Sequence, residues 1–178
     1  MNEYKIGRVL VSEEKIKEVV ENLGRQIRED FRESEKDLII VGLLKGSFIF
    51  MADLVRAINL PLAVDFMTVS SYGDGTVSSS NVKLVMDLDT SIEDKDVIIV
   101  EDIVDTGRTF KKVIQLLNNR HPHTLKSCSF LSKPSRRVVE MDVDYIGVEI
   151  EDEFVIGYGM DHAQRYRNLP CISVLEES

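Results

Sequence analysis

Val97-Ile98-Ile99-Val100-Glu101-Asp102-Ile103-Val104-Asp105-Thr106-Gly107-Arg108-Thr109 decides the fold. Its first four residues are all β-branched, and such a short, continuously apolar run predicts a strand covered on both faces. Phe110, Val113, Ile114 and Leu117 then recur at the spacing of one helix face. The segment therefore joins a buried strand to an amphipathic helix through a turn of acids, hydroxyls and one glycine.

The same alternation extends in both directions. Ser12 is an expected N-cap, with Ile16, Val19, Val20, Leu23, Ile27 and Phe31 on one face of the helix that follows. Leu38 to Val41 reads as a buried strand, Gly42 to Ser47 as a small-residue turn, and Phe48 to Ile58 as a second helix. Further strands are expected at Ala63 to Val69, Val82 to Met86, Ser127 to Leu131 and Tyr145 to Ile150. Strands alternating with helices indicate an α/β fold: a largely parallel central sheet flanked by helices. No repeat or linker divides residues 1–178, so one domain is expected. Ligands of such sheets bind beyond the carboxyl ends of the strands, which directs attention to the loops starting at Gly42, Glu101 and Ser132. Ser70 to Asn81 is polar and has no apolar periodicity, which makes 70–81 a candidate mobile active-site loop.

Composition narrows the function. The chain has 178 residues and a net charge of −9, with 43% hydrophobic and 30% charged residues, the proportions of a folded globular protein. Such an acid excess argues against a nucleic-acid binder. The longest apolar stretch is far short of the roughly 20 residues that span a bilayer. Met1-Asn2-Glu3-Tyr4-Lys5 has no apolar signal core, so no membrane association and a cytoplasmic location are expected. Cys128 and Cys171 are isolated in sequence, which gives no support to a disulfide framework or a zinc site.

The deciding segment has a chemical use as well. Backbone N–H groups of the turn Asp105 to Thr109, the hydroxyls of Thr106 and Thr109 and the positive helix end can cradle a phosphate. Carboxylates just before the turn can accept bonds from sugar hydroxyls or hold a hydrated Mg²⁺. The plain alternative is a loop in which Thr109 caps the helix and the acids are solvated. Neither G-x-x-x-x-G-K-[ST] nor G-x-G-x-x-G occurs, which sets aside a P-loop or a dinucleotide fold.

Val97 to Thr109 resembles the phosphoribosyl-pyrophosphate motif of type I phosphoribosyltransferases. Leu43-Leu44-Lys45-Gly46-Ser47, Ser71-Tyr72-Gly73, Asp152 to Asp161 and Arg165-Tyr166-Arg167-Asn168-Leu169-Pro170 narrow the resemblance to the compact bacterial hypoxanthine-guanine phosphoribosyltransferases. The resemblance implies the type I fold, with a small hood from the terminal segments. It implies a transferase of purine salvage, dependent on Mg²⁺, that moves 5-phosphoribosyl from phosphoribosyl pyrophosphate to N9 of hypoxanthine or guanine. The products would be IMP or GMP and pyrophosphate, and the family's usual assembly is a homodimer or homotetramer.

Residue roles follow by the same resemblance. Glu101 and Asp102 would meet the ribose hydroxyls, and Asp105, Thr106, Gly107, Arg108 and Thr109 the 5′-phosphate, with Gly107 leaving room for close backbone approach. Asp105 would also be the catalytic proton acceptor near N7 of the purine. Lys45 and Gly46, preceded by a cis peptide at Leu44, and Arg167 would bind pyrophosphate. Ser71 and Tyr72 would belong to the lid. Lys133 would donate to O6, Phe154 stack on the base, Val155 offer backbone groups to its edge, and Asp161 line the pocket. Glu101, Asp102 and Asp161 would be the metal contacts. Without the resemblance, Lys133 to Arg137 reads as a basic surface turn, Phe154 as a core aromatic, and Asp161 and Arg167 as surface charges. His162 stands where the family usually has Tyr. Two alternatives stay open: an RNA-binding transcription attenuator on the same fold, and a xanthine-preferring enzyme.

Overall fold

The computed structural model describes residues 4–71 and 82–177. Two sheets and three helices organise them. The larger sheet holds β2 (Leu38–Leu43), β3 (Ala63–Ser71), β4 (Val82–Met86), β5 (Asp96–Val104), β6 (Thr124–Ser132) and β7 (Tyr145–Glu149) in the order β4-β3-β2-β5-β6-β7. Only the β3–β4 pairing is antiparallel. The others are parallel. Strand order reverses between β2 and β5, the switch point at which open α/β sheets place their ligands.

Helices cover both faces. In α1 (Glu13–Phe31), Ser12 accepts a hydrogen bond from the Lys15 N–H, and Ile16, Val19, Val20, Leu23, Ile27 and Phe31 are buried as one stripe. α2 (Phe48–Ile58) buries Phe50, Met51, Leu54 and Ile58 in the same core, and α3 (Arg108–Asn118) buries Phe110, Val113 and Leu117 against the opposite face. A three-stranded antiparallel sheet, β1 (Tyr4–Val11), β9 (Ile172–Glu177) and β8 (Val155–Ile156), is the hood expected from the terminal segments.

Four strands, β2, β3, β5 and β6, outrun their sequence expectation, β6 running over Thr124–Ser132 rather than Ser127 to Leu131. β2 includes Gly42 and Leu43, because Phe66 and Met67 of β3 still supply ladder partners there. β5 continues through Glu101, Asp102 and Ile103 to Val104, since Glu101 pairs with Ser129 and Val104 with Ser132 of β6. The two acids therefore sit on a strand rather than in the turn after it, held by a continuous ladder. β3 extends to Ser71, two positions beyond Val69. Tyr72 and the rest of the expected lid segment, 72–81, lie outside the described residues.

Candidate active site

Three loops leave the carboxyl ends of β2, β5 and the neighbouring β6. The one after β2 carries Lys45 and Gly46, and its Leu44–Lys45 peptide is cis, as the resemblance implies. Gly46 lies so close to its neighbours that an added Cβ would overlap the Asp102 carboxylate. A Cβ on Gly159, whose φ is +101°, would overlap the Gly46 carbonyl. The close approach of these three segments is thus possible only with glycine at two of them.

On β5, burial and the adjacent Asp102 charge push the Glu101 carboxyl well above its usual range. Glu101 Oε2 is buried without a hydrogen-bond partner among the described residues. Asp102 accepts from the Ile103 N–H at 2.9 Å. Burial, opposed by backbone N–H groups and by the Arg167 charge, still raises it to about 6. Two acids held this way call for a cation or for hydroxyl donors.

Beyond β5, Gly107 caps α3 with φ +78°, and α3 has neither a side-chain N-cap bond nor an acid in its first turn. The Arg108 N–H makes a long bond of 3.5 Å to Thr106 Oγ1, and the N–H groups that follow it and the helix dipole are left to attract an anion. Thr109 lies inside the first turn, so it is not the cap. An added Cβ on Gly107 would lie 2.8 Å from Met141 Sδ. The positive φ favours glycine at this position, and an added Cβ would also press on the flexible Met141 side chain. Arg137 Nη1 donates to the Asp105 carbonyl at 2.7 Å and Nη2 to Ser132 Oγ at 3.0 Å, and the Val138 N–H donates to the Thr106 carbonyl at 3.2 Å. The turn is tied to the loop after β6.

That loop corrects the surface-turn alternative for Lys133. Its residue exposure is only 7%, and its Nζ reaches to 3.7 Å from Asp152 Oδ1. Phe154 is 55% exposed, so the core-aromatic alternative fails; its ring meets His162 edge to face at 5.6 Å. The Leu175 N–H donates to the Phe154 carbonyl, which makes Val155 and Val174 a non-hydrogen-bonded pair. The N–H and C=O of Val155 accordingly point away from β9, off the open edge of the hood sheet. Asp161 and Arg167 are a partly buried ion pair at 2.6 Å, not two surface charges. Arg167 also donates to the Gly159 carbonyl, and Lys45 Nζ lies 3.4 Å from Gln164 Oε1.

Four participants escaped the sequence reading: Arg136, Arg137, Asp152 and Gln164. Arg136 and Arg137 stand just past the carboxyl end of β6, a position that could have singled them out.

Paired acids beside an open helix N-terminus, on a mostly parallel sheet, define a protein that holds a phosphorylated, hydroxyl-bearing ligand. The family model for the phosphoribosyl transferase domain matches residues 10–163. Hypoxanthine phosphoribosyltransferase of Salmonella typhimurium is 51% identical over 164 residues, 92% of each chain. Hypoxanthine-guanine phosphoribosyltransferase of Bacillus subtilis is 44% identical over 176 residues, 99% of this chain and 97% of the relative. The crystal structure of a hypoxanthine phosphoribosyltransferase from Staphylococcus aureus superposes with a TM-score of 0.91 at 45% identity, covering 96% of this chain and 92% of that one. The chain belongs to the phosphoribosyltransferase family, on its hypoxanthine and hypoxanthine-guanine branch.

Proposed function

We propose that this enzyme transfers the 5-phosphoribosyl group of phosphoribosyl pyrophosphate to N9 of hypoxanthine or guanine, giving IMP or GMP and pyrophosphate. The observation that carries the reading is the convergence, at one switch point, of the Glu101–Asp102 pair, the open N-terminus of α3 and the buried Lys133. We take residues 1–178 to act as one domain, in the cytoplasm, as a homodimer or homotetramer; kinship with the branch is the support for these three points.

Each part of the donor has a matching group. The 5′-phosphate is assigned to the turn Asp105 to Thr109, where N–H groups and the dipole of α3 favour an anion. The ribose hydroxyls are assigned to Glu101, whose buried Oε2 lacks a donor among the described residues, and to the partly buried Asp102. Lys45, Gly46 and Arg167 are assigned to the pyrophosphate. Mg²⁺ fits the same carboxylates: among the described residues Glu101 Oε2 has no hydrogen-bond partner. Among the described residues no three acidic, His or Cys side chains form a cage. A hard cation that keeps several waters and shares substrate oxygens suits one or two carboxylates better than a cage. Bound there, the ion would supply positive charge against the pyrophosphate. Glu101 and Asp102 would hold it; Asp161, the third contact expected by resemblance, pairs with Arg167 and forms no three-acid group with them among the described residues.

On the acceptor side, Phe154 is a ring exposed for stacking, and the Val155 backbone edge can read the base. Lys133 presents donors only, which match O6 of a 6-oxopurine. Asp105, half-exposed just after β5, is assigned the N7 proton, to be taken as bond breaking at C1′ develops positive charge. Steady-state kcat/KM for hypoxanthine, guanine, xanthine and adenine, with donor and Mg²⁺, tests the reading. The two named bases should dominate; comparable adenine turnover would end it. The acidic net charge and the transferase names of the relatives disfavour the RNA-binding alternative.

A further inference from the structure

The turn after β6 bears an arginine that the proposed reaction does not use. Arg136 Nε donates to Asp105 Oδ1 at 3.1 Å, and its Nη1 donates to Asp152 Oδ2 at 3.3 Å. The other oxygen of Asp152 lies 3.7 Å from Lys133 Nζ. One guanidinium and one carboxylate therefore link the two side chains that the proposed function sets against the purine. Resting on that function, we propose that Arg136 is a positioning residue that, through Asp152, fixes Asp105 and Lys133 relative to each other.

The chemistry of the linker supports the assignment. A guanidinium is planar, with donors in fixed directions, so it can hold two carboxylates in a set relation; an ammonium cannot. With Oδ1 of Asp105 tied to Arg136, Oδ2 is the oxygen that can turn toward the base. The side chains of Arg136, Asp105 and Asp152 are 47%, 40% and 53% exposed. Ion pairs this open add little to stability, so bracing the fold does not account for the arrangement. The neighbouring Arg137 divides the work differently: half-buried, it holds the Asp105 main chain through the carbonyl, while Arg136 holds the side chain.

Arg136→Met, Arg136→Lys, Asp152→Asn and the double variant Arg136→Met/Asp152→Asn separate this role from a structural one. Hypoxanthine and donor kinetics are read beside Tm. Arg136→Met should lower kcat/KM for hypoxanthine about 10- to 100-fold, the scale of a misplaced reacting group, with donor KM within about twofold and Tm little changed. Arg136→Lys replaces the planar fork by a freely rotating ammonium that fixes no set angle between the two carboxylates, and should stay at least about threefold below wild type. The double variant should be no worse than its more damaged parent, since both changes cut one link. Unchanged hypoxanthine kinetics in Arg136→Met, full rescue by lysine, multiplicative losses in the double variant, or a loss confined to donor KM would each overturn the proposal. If Arg136→Met does not fold, Asp152→Asn carries the test: it should show the same hypoxanthine loss, and wild-type kinetics would overturn the link. A wild type inactive on 6-oxopurines would sink the proposed function itself, whereas an active wild type with unaffected variants sinks only the role of Arg136.

Discussion

Lys133 Nζ stands 3.7 Å from Asp152 Oδ1, at the end of a side chain only 9% exposed. A buried stem ending in a charged tip is poised to discriminate: it matches O6 of hypoxanthine or guanine, but meets a like donor in the amino group of adenine. A site built around one such bond can select by roughly 10⁴–10⁵. Lys133→Met keeps much of the volume and removes the charge. It should lose most activity on both 6-oxopurines and narrow the gap to adenine. Full hypoxanthine activity in this variant would remove Lys133 from base recognition.

Asp105→Asn tests the proton acceptor. The carboxylate is half-exposed and its main-chain carbonyl, not its side chain, accepts from Arg137, so the fold should survive the change. Asn fills the same space without taking a proton, and kcat should fall roughly 10²–10⁴-fold. Donor affinity by calorimetry should change little. Rates near wild type with an intact thermal transition would place the proton elsewhere.

Much of this architecture could be read from the chain, for physical reasons. α2 runs over Phe48–Ile58 as its spacing predicts, and the β-branched run Val97 to Val100 marks the central strand because both its faces are covered. Glu101 and Asp102 hid the end of that strand: acids are poor strand residues, and only the partners on β6 keep them in the ladder. The hood was legible only through the family resemblance, since β8 has two residues and β1 leaves Ile6 and Val9 exposed, which blurs any alternation. Within the site, the motif residues were recognisable by type and order. The burial of Lys133 and the two-carboxylate contact of Arg136 were not, because they depend on a loop from β7 to β8 returning to the end of β6.

The left-handed conformation of Gly107 gives a different kind of prediction. An alanine there must adopt φ near +78° and crowd Met141 Sδ. The conformational cost alone is about 1–2 kcal/mol. Gly107→Ala should therefore lower Tm by several degrees, at about 2–4 °C per kcal/mol for a chain of this size. It should also weaken donor binding, because the first N–H groups of α3 shift. Adding Met141→Ala relieves the contact but not the backbone, so it should recover only part of the loss. Complete recovery of Tm would assign the effect to packing alone.

The carboxylates of β5 predict a dependence on pH. Asp102 titrates at about 6 in the folded chain against an ordinary 3.8, chiefly through burial, and Glu101 is shifted in the same direction. The folded state thus binds protons more tightly than the unfolded state between about pH 4 and 6. The contribution of Asp102 to stability must fall as pH rises through that window and level off above it, while the raised Glu101 carries the same fall to higher pH. At neutral pH the ionised Asp102 costs the fold on the order of 1–3 kcal/mol, taking one pKa unit as about 1.4 kcal/mol. Asn imitates the protonated acid. Asp102→Asn should raise the urea midpoint of the ligand-free protein at pH 8 and leave it nearly unchanged at pH 4. With donor and Mg²⁺ the order should reverse, since wild type alone keeps the charge that the proposed ligands need. A variant less stable than wild type at pH 8 without ligand would show that the acid pair is relieved by contacts within the chain, and that it holds no reserve for a cation or a sugar.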